Sequence, residues 1–322
     1  MLLLIGNKYL VSQRGNSSHY SNTYLCANQY TNENVFVKVL NVSDDRKEIV
    51  EELFKREVKA LELLNHQHII KYLDSGITIS GDPFIVTEYF EGQNLYEVIQ
   101  EECVAGDLKF DIILKIVDAI IYSHDKNIIH RDIKPQNIMI NEDHDLKVID
   151  FGISKIIGLS YNPSVTLKDY MTVRYAAPEQ LQRKEVTLLS DLYSLGLLIA
   201  YIFIGEEPPE DKSLLDIYFG RIEHSGIAKL VKSLTCIDAF TRPQSAHKIK
   251  SVILRERACY ISNTQKINVR CSPNAMQKLR NVGLISTPNI KEATSYILSD
   301  VKTDGYYGYK KKDCYYFIGN RI

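Results

Sequence analysis

The chain has 322 residues, 45% hydrophobic and 25% charged, with 39 Lys and Arg against 40 Asp and Glu and a formal net charge of −1. That length suits one two-lobed domain with a tail, or two domains, and the composition is that of a globular protein rather than a disordered chain. The near-zero charge excludes a whole-molecule bias toward nucleic acid or acidic membrane, and six scattered Cys without zinc-ligand spacing point to reduced thiols in a cytoplasmic protein.

The opening run Met1 to Ile5 is too short for a signal segment and has no basic region before it. Alternating apolar and polar residues then predict strands near 8–13, 19–27 and 34–40. On the third, Phe36, Lys38 and Leu40 face one way and the valines the other, so Lys38 can point into a cleft. A helix follows, with Ile49, Leu53, Val58, Leu61 and Leu64 at near-helical spacing and Glu57 among its charges. His68 to Tyr72 and Phe84 to Phe90 read as two strands split by a turn at Ser80–Pro83. Helices are expected from Asn94 to Gln100 and from Phe110 to His124.

Next comes His130-Arg131-Asp132-Ile133-Lys134-Pro135-Gln136-Asn137, and thirteen residues after Asn137 comes Asp150-Phe151-Gly152. Each triplet follows or precedes a short strand-like run, which would bring Asp132, Asn137 and Asp150 together. Two carboxylates and an amide so placed can hold a divalent metal and orient a hydroxyl for phosphoryl transfer. A polar segment to Met171 leads into Thr172-Val173-Arg174-Tyr175-Ala176-Ala177-Pro178-Glu179. Leu192 to Ile204 is strongly apolar but shorter than the roughly 20 residues of a membrane span, so a buried helix is expected and no span. A last helix is expected near 244–254, after Thr241-Arg242-Pro243.

Taken in order, these residues resemble the eukaryotic-like (Hanks-type) serine/threonine protein kinase family over about residues 8–256. The matches are Val35-Phe36-Val37-Lys38, Glu57, His130-Arg131-Asp132 with Lys134 and Asn137, Asp150-Phe151-Gly152, Ala177-Pro178-Glu179, Asp191 and Arg242. The resemblance implies a bilobal α+β protein kinase fold, with a β-rich small lobe (about 8–90) and a mostly helical large lobe (about 91–256). It implies ATP and Mg²⁺ as cofactors and a protein substrate with a Ser or Thr acceptor. Asp132, Lys134 and Thr172 would be catalytic, and Asn137 and Asp150 would bind the metal. The nucleotide site would comprise Lys38 paired with Glu57, the loop positions Asn16, Ser18, Ser21 and Thr23, and Phe36, Thr87, Glu88, Phe90 and Met139. Leu61, Tyr72, His130 and Phe151 would stack in a column based on Asp191, and Glu179 and Arg242 would form a buried structural pair. Arg131 would meet a phosphate added between Asp150 and Glu179, with Ser160, Ser164, Thr166 and Tyr170 as candidates and Thr166 first.

Two departures concern the nucleotide. The family's glycine-rich loop positions hold Asn16, Ser18 and Ser21, which implies a looser grip on phosphate. Phe36 stands where the family has Ala and would project toward the adenine. They keep open the alternative of a pseudokinase scaffold. A small-molecule phosphotransferase is disfavoured by Lys134, Thr172 and the Ala177-Pro178-Glu179 segment.

Residues 257–322 form a separate small extension. Ser272-Pro273 and Thr287-Pro288 look like helix starts, and Tyr306–Lys310 with Cys314–Ile318 reads as a hairpin, together a winged-helix-like pattern. From 259 to 322 there are ten Lys and Arg against four Asp and Glu, a net charge of +6. This suits either an extension packed on the large lobe or a docking module for an acidic partner.

Overall fold

The computed structural model describes residues 3–17, 21–42, 47–101, 104–151, 173–265, 309–311 and 314–316. The chain forms two compact units, Met1–Tyr260 and Ile261–Ile322.

The first unit opens with a six-stranded antiparallel sheet. Its strands are β1 (Leu4–Ile5), β2 (Tyr9–Ser17), β3 (Ser21–Asn28), β4 (Asn34–Leu40), β5 (Tyr72–Ile77) and β6 (Pro83–Glu88), in the spatial order β1-β2-β3-β4-β6-β5. Period-two alternation gives the sheet two apolar faces. Val35, Val37, Phe84 and Val86 join Tyr9 and Cys26 in one cluster. Leu40 and Ile85 turn the other way and pack on helix α1 (Lys47–Glu62). The buried stripe of α1 is Val50, Phe54 and Val58, at four-residue spacing.

One expected strand is displaced. His68 to Lys71 is not part of the sheet, and β5 begins at Tyr72. Instead, Ile69 is 2% exposed in the large lobe's core. The backbone around it bonds to that lobe, Ile70 N to Val148 O at 3.0 Å and Val148 N to His68 O at 2.8 Å. The segment links the lobes because burying Ile69 there outweighs its strand propensity.

The large lobe starts with β7 (Gln93–Asn94), α2 (Leu95–Glu101) and α3 (Gly106–Asp125). Asn94 and Glu97 cap α2 reciprocally, each side chain accepting from the other's backbone N–H at 3.1 and 3.0 Å. A 3₁₀ turn over Pro135–Asn137 leads to β8 (Ile138–Ile140) and β9 (Leu146–Val148), which pair antiparallel beside β7. After α4 (Pro178–Leu181) comes α5 (Leu188–Ile204), buried on all sides as expected of a helix apolar all round. Thr187 and Ser190 close its start with a capping box, and Gly205, at φ 81°, ends it in the left-handed conformation. Then follow α6 (Leu215–Phe219), α7 (Ser225–Leu234) and α8 (Ala246–Gln265). α8 runs well past the expected end near 254.

In the second unit, β10 (Tyr309–Lys311) and β11 (Cys314–Tyr316) form an antiparallel hairpin with Lys311 opposite Cys314. Lys311 thus lies in a strand, where the sequence had placed it in the connection. The helices expected from 272 and 287 lie outside the described residues.

Candidate active site

A cleft of about 580 Å³ lies between the two lobes, within the range of small-molecule sites. Its small-lobe wall carries Phe36 and Lys38 from β4, with Asn16, Ser21 and Thr23 from the β2–β3 hairpin. Thr87, Glu88 and Phe90 line the crossing between lobes, and Met139, Asn137, Lys134 and Asp150 line the large-lobe side. Phe36 faces the cleft because β4 alternates, with Val35 and Val37 buried on the opposite face.

The acid-bearing loop is held from beneath. Asp191, 1% exposed at the start of α5, accepts the backbone N–H groups of His130 and Arg131, each at 2.8 Å. It also accepts from His124 Nε2 at 2.9 Å. Burial alone would raise the Asp191 carboxyl; the His124 hydrogen bond and the neighbouring imidazoles outweigh it and hold it below the ordinary range. Arg131 sits at φ 67°, a left-handed turn that swings the next residues toward the cleft. There the Lys134 ammonium lies 3.1 Å from Asp132 Oδ2. Asn137 donates from Nδ2 to Asp132 O at 2.8 Å, which assigns its other amide atom, Oδ1, the acceptor's role.

Asp150 arrives at the same place on a second left-handed turn, φ 64°. The Asn137 carbonyl accepts from Ile149 N at 2.9 Å, which ties the two loops together. His130 donates from Nε2 to Ile149 O at 3.0 Å, and its ring lies 4.5 Å from that of Phe151. Burial drives the His130 pKa down, so the ring is neutral and Nε2 carries its proton.

The resemblance implies a Lys38–Glu57 pair, and here the geometry differs. Lys38 Nζ lies 2.6 Å from Asp150 Oδ1, while Glu57 Oε1 lies 3.6 Å from Arg131 Nη1. Glu57 is not among the residues that line the cleft. Ser18, Thr172 and the loop candidates Ser160, Ser164, Thr166 and Tyr170 lie outside the described residues.

Below the cleft, Glu179 and Arg242 form a two-pronged pair at 2.7 and 2.9 Å, the Arg242 guanidinium stacked 4.9 Å from the Tyr193 ring centroid. Arg174, next to the Tyr175–Glu179 segment, is held by Glu210 at 3.1 Å and by the Pro208 carbonyl at 2.9 Å. Sequence reasoning missed Gln136. It lines the cleft, and its Oε1 is buried without a hydrogen-bond partner. Its place between Pro135 and Asn137 was the only signal available.

The oxygen donors suit a hard cation. Asn137 and Asp150 supply one amide and one carboxylate, and among the described residues no cluster of three or more potential ligands occurs. Mg²⁺ fits such a sparse set, because it keeps several waters and takes further oxygens from a substrate's phosphates. The cleft also fits a nucleotide: an apolar slot between Phe36 and Met139, and an orphan acceptor on Gln136 for a hydroxyl.

Comparison with known proteins shows the family. Residues 15–276 match the protein kinase domain family, and the chain belongs to that family. Serine/threonine-protein kinase PknB of Mycobacterium leprae is 34% identical over 192 residues, 58% of this chain and 31% of that protein. The PknB of Mycolicibacterium smegmatis is 36% identical over 194 residues, again 58% and 31%. The matched stretch is about a third of the length of these relatives. The crystal structure of the Mycobacterium tuberculosis PknI kinase domain superposes with a TM-score of 0.63 at 20% identity, covering 79% of this chain and 98% of that one, a likeness of fold.

Proposed function

We propose that the chain is a serine/threonine protein kinase domain that transfers the γ-phosphoryl group of ATP, with Mg²⁺, to a protein hydroxyl. The observation that carries this reading is the convergence of Lys134, Asn137 and Asp150 on a nucleotide-sized cleft, with Asp132 bonded to Lys134 and Asn137 beside it. Asp132, fixed by its backbone N–H donating to His130 Nδ1, by the Asn137 bond to its carbonyl and by Lys134, orients the acceptor hydroxyl and takes its proton as the new P–O bond forms. The transition state is loose, so positioning outweighs base strength, and an ordinary carboxylate suffices. Lys134, beside that carboxylate, steadies the transferred phosphoryl group and disfavours a small-molecule acceptor. Asn137 and Asp150 would hold Mg²⁺, which neutralises phosphate charge and aligns the γ-phosphate. Lys38, released from Asp150, meets the remaining phosphate oxygens, and the backbone of Glu88 to Phe90 meets the base. Thr172 completes the catalytic set by resemblance.

Cys26, Cys236 and Cys259 are free thiols, in keeping with a reducing, cytoplasmic compartment. No described helix is long and apolar enough to cross a membrane. Autophosphorylation between Asp150 and Glu179 would engage Arg131.

Incubation with labelled ATP and Mg²⁺, alone and with a generic basic protein, tests the reading. Wild type transfers label. Asp132→Ala lowers the rate on the order of 10²-fold or more, and Lys38→Ala also abolishes most transfer. Absence of transfer by the wild type with any divalent metal would leave the pseudokinase scaffold as the better account.

A further inference from the structure

The peptide between Arg131 and Asp132 is held on both edges. Its N–H, that of Asp132, donates to His130 Nδ1 at 3.2 Å, and its carbonyl, that of Arg131, accepts from Gln180 Nε2 at 3.0 Å. A peptide unit is planar, so fixing both edges fixes the direction in which the Asp132 side chain departs. The restraint has something to oppose. Arg131 sits at φ 67°, a left-handed conformation that a residue with a side chain seldom adopts unaided. Asp191 holds the near side of that turn through the Arg131 N–H, and Gln180 holds the far side.

Gln180 stands on α4, 49 positions from Arg131 in the chain. It is 6% exposed, and both ends of its amide are engaged. Oε1 accepts from Ala177 N at 3.0 Å, and Nε2 donates to the Arg131 carbonyl. Only one orientation of the amide satisfies both partners, since the reverse would set donor against donor and oxygen against oxygen. The first bond closes the start of α4, as a helix cap does. The second is surplus to capping, and it reaches out of the helix to the residue before Asp132.

We propose that Gln180 is a positioning residue for phosphoryl transfer: its amide N–H holds the Arg131 carbonyl and thereby aims the Asp132 carboxylate at the acceptor hydroxyl. This rests on the kinase reading above. Gln180 does not line the cleft, so its loss acts on the rate and not on the binding of ATP. Breaking one buried hydrogen bond and letting the carboxylate turn off its line costs roughly tenfold in kcat.

Steady-state transfer from ATP and Mg²⁺ to a generic basic protein by the full chain tests this, with ATP affinity measured by isothermal titration on the same preparations. Rates are expressed per molecule that binds ATP, so unfolded protein does not count. Gln180→Met, close in length and without hydrogen bonds, lowers kcat about tenfold and leaves the ATP Kd unchanged. Gln180→Glu keeps the bond from Ala177 N but, when ionised, cannot donate to the Arg131 carbonyl, so at pH 8 its kcat falls as far. Burial beside a carbonyl oxygen favours the protonated acid, which can donate. The rate of Gln180→Glu relative to wild type therefore climbs as the pH is lowered to 6, while the ratio for Gln180→Met stays level. The Glu variant exchanges one nitrogen for an oxygen and carries the test should the Met variant misfold. A wild-type kcat in Gln180→Met, or a ratio for Gln180→Glu that is level with pH, would overturn the inference and leave Gln180 as a helix cap. So would an ATP affinity that falls in step with the rate. These outcomes leave transfer by the wild type intact, whereas a wild type that transfers no label with any divalent metal overturns the kinase reading and this inference with it.

Discussion

At the scale of single residues, the side chains of the candidate site are held by residues buried beneath them. Asp191 never reaches the cleft, yet it fixes two successive backbone N–H groups immediately before Asp132. Arg242 does the equivalent for the Tyr175–Glu179 segment. Its side chain is fully buried, and it binds Glu179 with both terminal nitrogens while also donating to the Leu189 and Cys236 carbonyls. Burial tends to raise the Glu179 carboxyl, but the Arg242 and Ser190 hydrogen bonds prevail and keep it low and ionised. Arg242→Ala would therefore strand a carboxylate and several carbonyls, with an expected loss of about 3–5 kcal/mol in urea denaturation. Arg242→Lys rescues little, because an ammonium cannot span both carboxylate oxygens and stack on Tyr193. A loss below about 1 kcal/mol would mark the pair as dispensable.

At the scale of elements, α1 and β7 position the site without entering it. Phe54 of α1 is 3% exposed and fills the space between that helix, Leu40 and Ile85. Phe54→Ala should cost about 3–5 kcal/mol, measured as a lower denaturation midpoint, and a near-neutral result would mean that α1 does not depend on this stripe. The turn into β7 is tighter still. A Cβ on Gly92 would lie 2.3 Å from the backbone oxygen of Ile140, and backbone cannot swing aside as a side chain can. Gly92→Ala should shift β7 away from β8, lowering thermal stability and disturbing the Met139 floor of the cleft. Retention of wild-type stability and nucleotide affinity together would contradict this. The α1 helix was legible as an element from its apolar spacing. That Val50, Phe54 and Val58 pack on Leu40 and Ile85 was not, because helical spacing alone does not choose between neighbouring stripes.

At the scale of the molecule, the two lobes share the His66–Ile70 segment and the cleft. Histidines lie at both connections. Burial lowers the pKa of His130, His66 and His68. The unfolded chain, with histidines near their ordinary value of about 6.5, then binds more protons than the folded one as pH falls. Stability is full above that value and declines as the pH drops from about 6.5 downward. The low-lying carboxyls of Asp191 and Glu179 add no loss until the solution is more acidic than their ordinary range. Urea midpoints at pH 7.5 and 5.5 should therefore differ, the acidic one lower. Replacing His68 by Gln should reduce the difference, and equal midpoints at the two pH values would argue against these buried neutral rings.

The sequence by itself determined the family, the two-lobed α+β architecture and the short-range contacts of the candidate site. Asp132, Lys134 and Asn137 lie within six residues, so local turns bring them together wherever the loop is placed. The strand period likewise determined that Phe36 and Lys38 share a face. Only the tertiary structure decided relations across long separations. Lys38 meets Asp150 and Arg131 meets Glu57, because such pairings depend on how the lobes meet and not on neighbouring residues. The displacement of His68–Lys71 from the sheet has the same cause, since burial of Ile69 in the opposite lobe is a term that no local pattern contains.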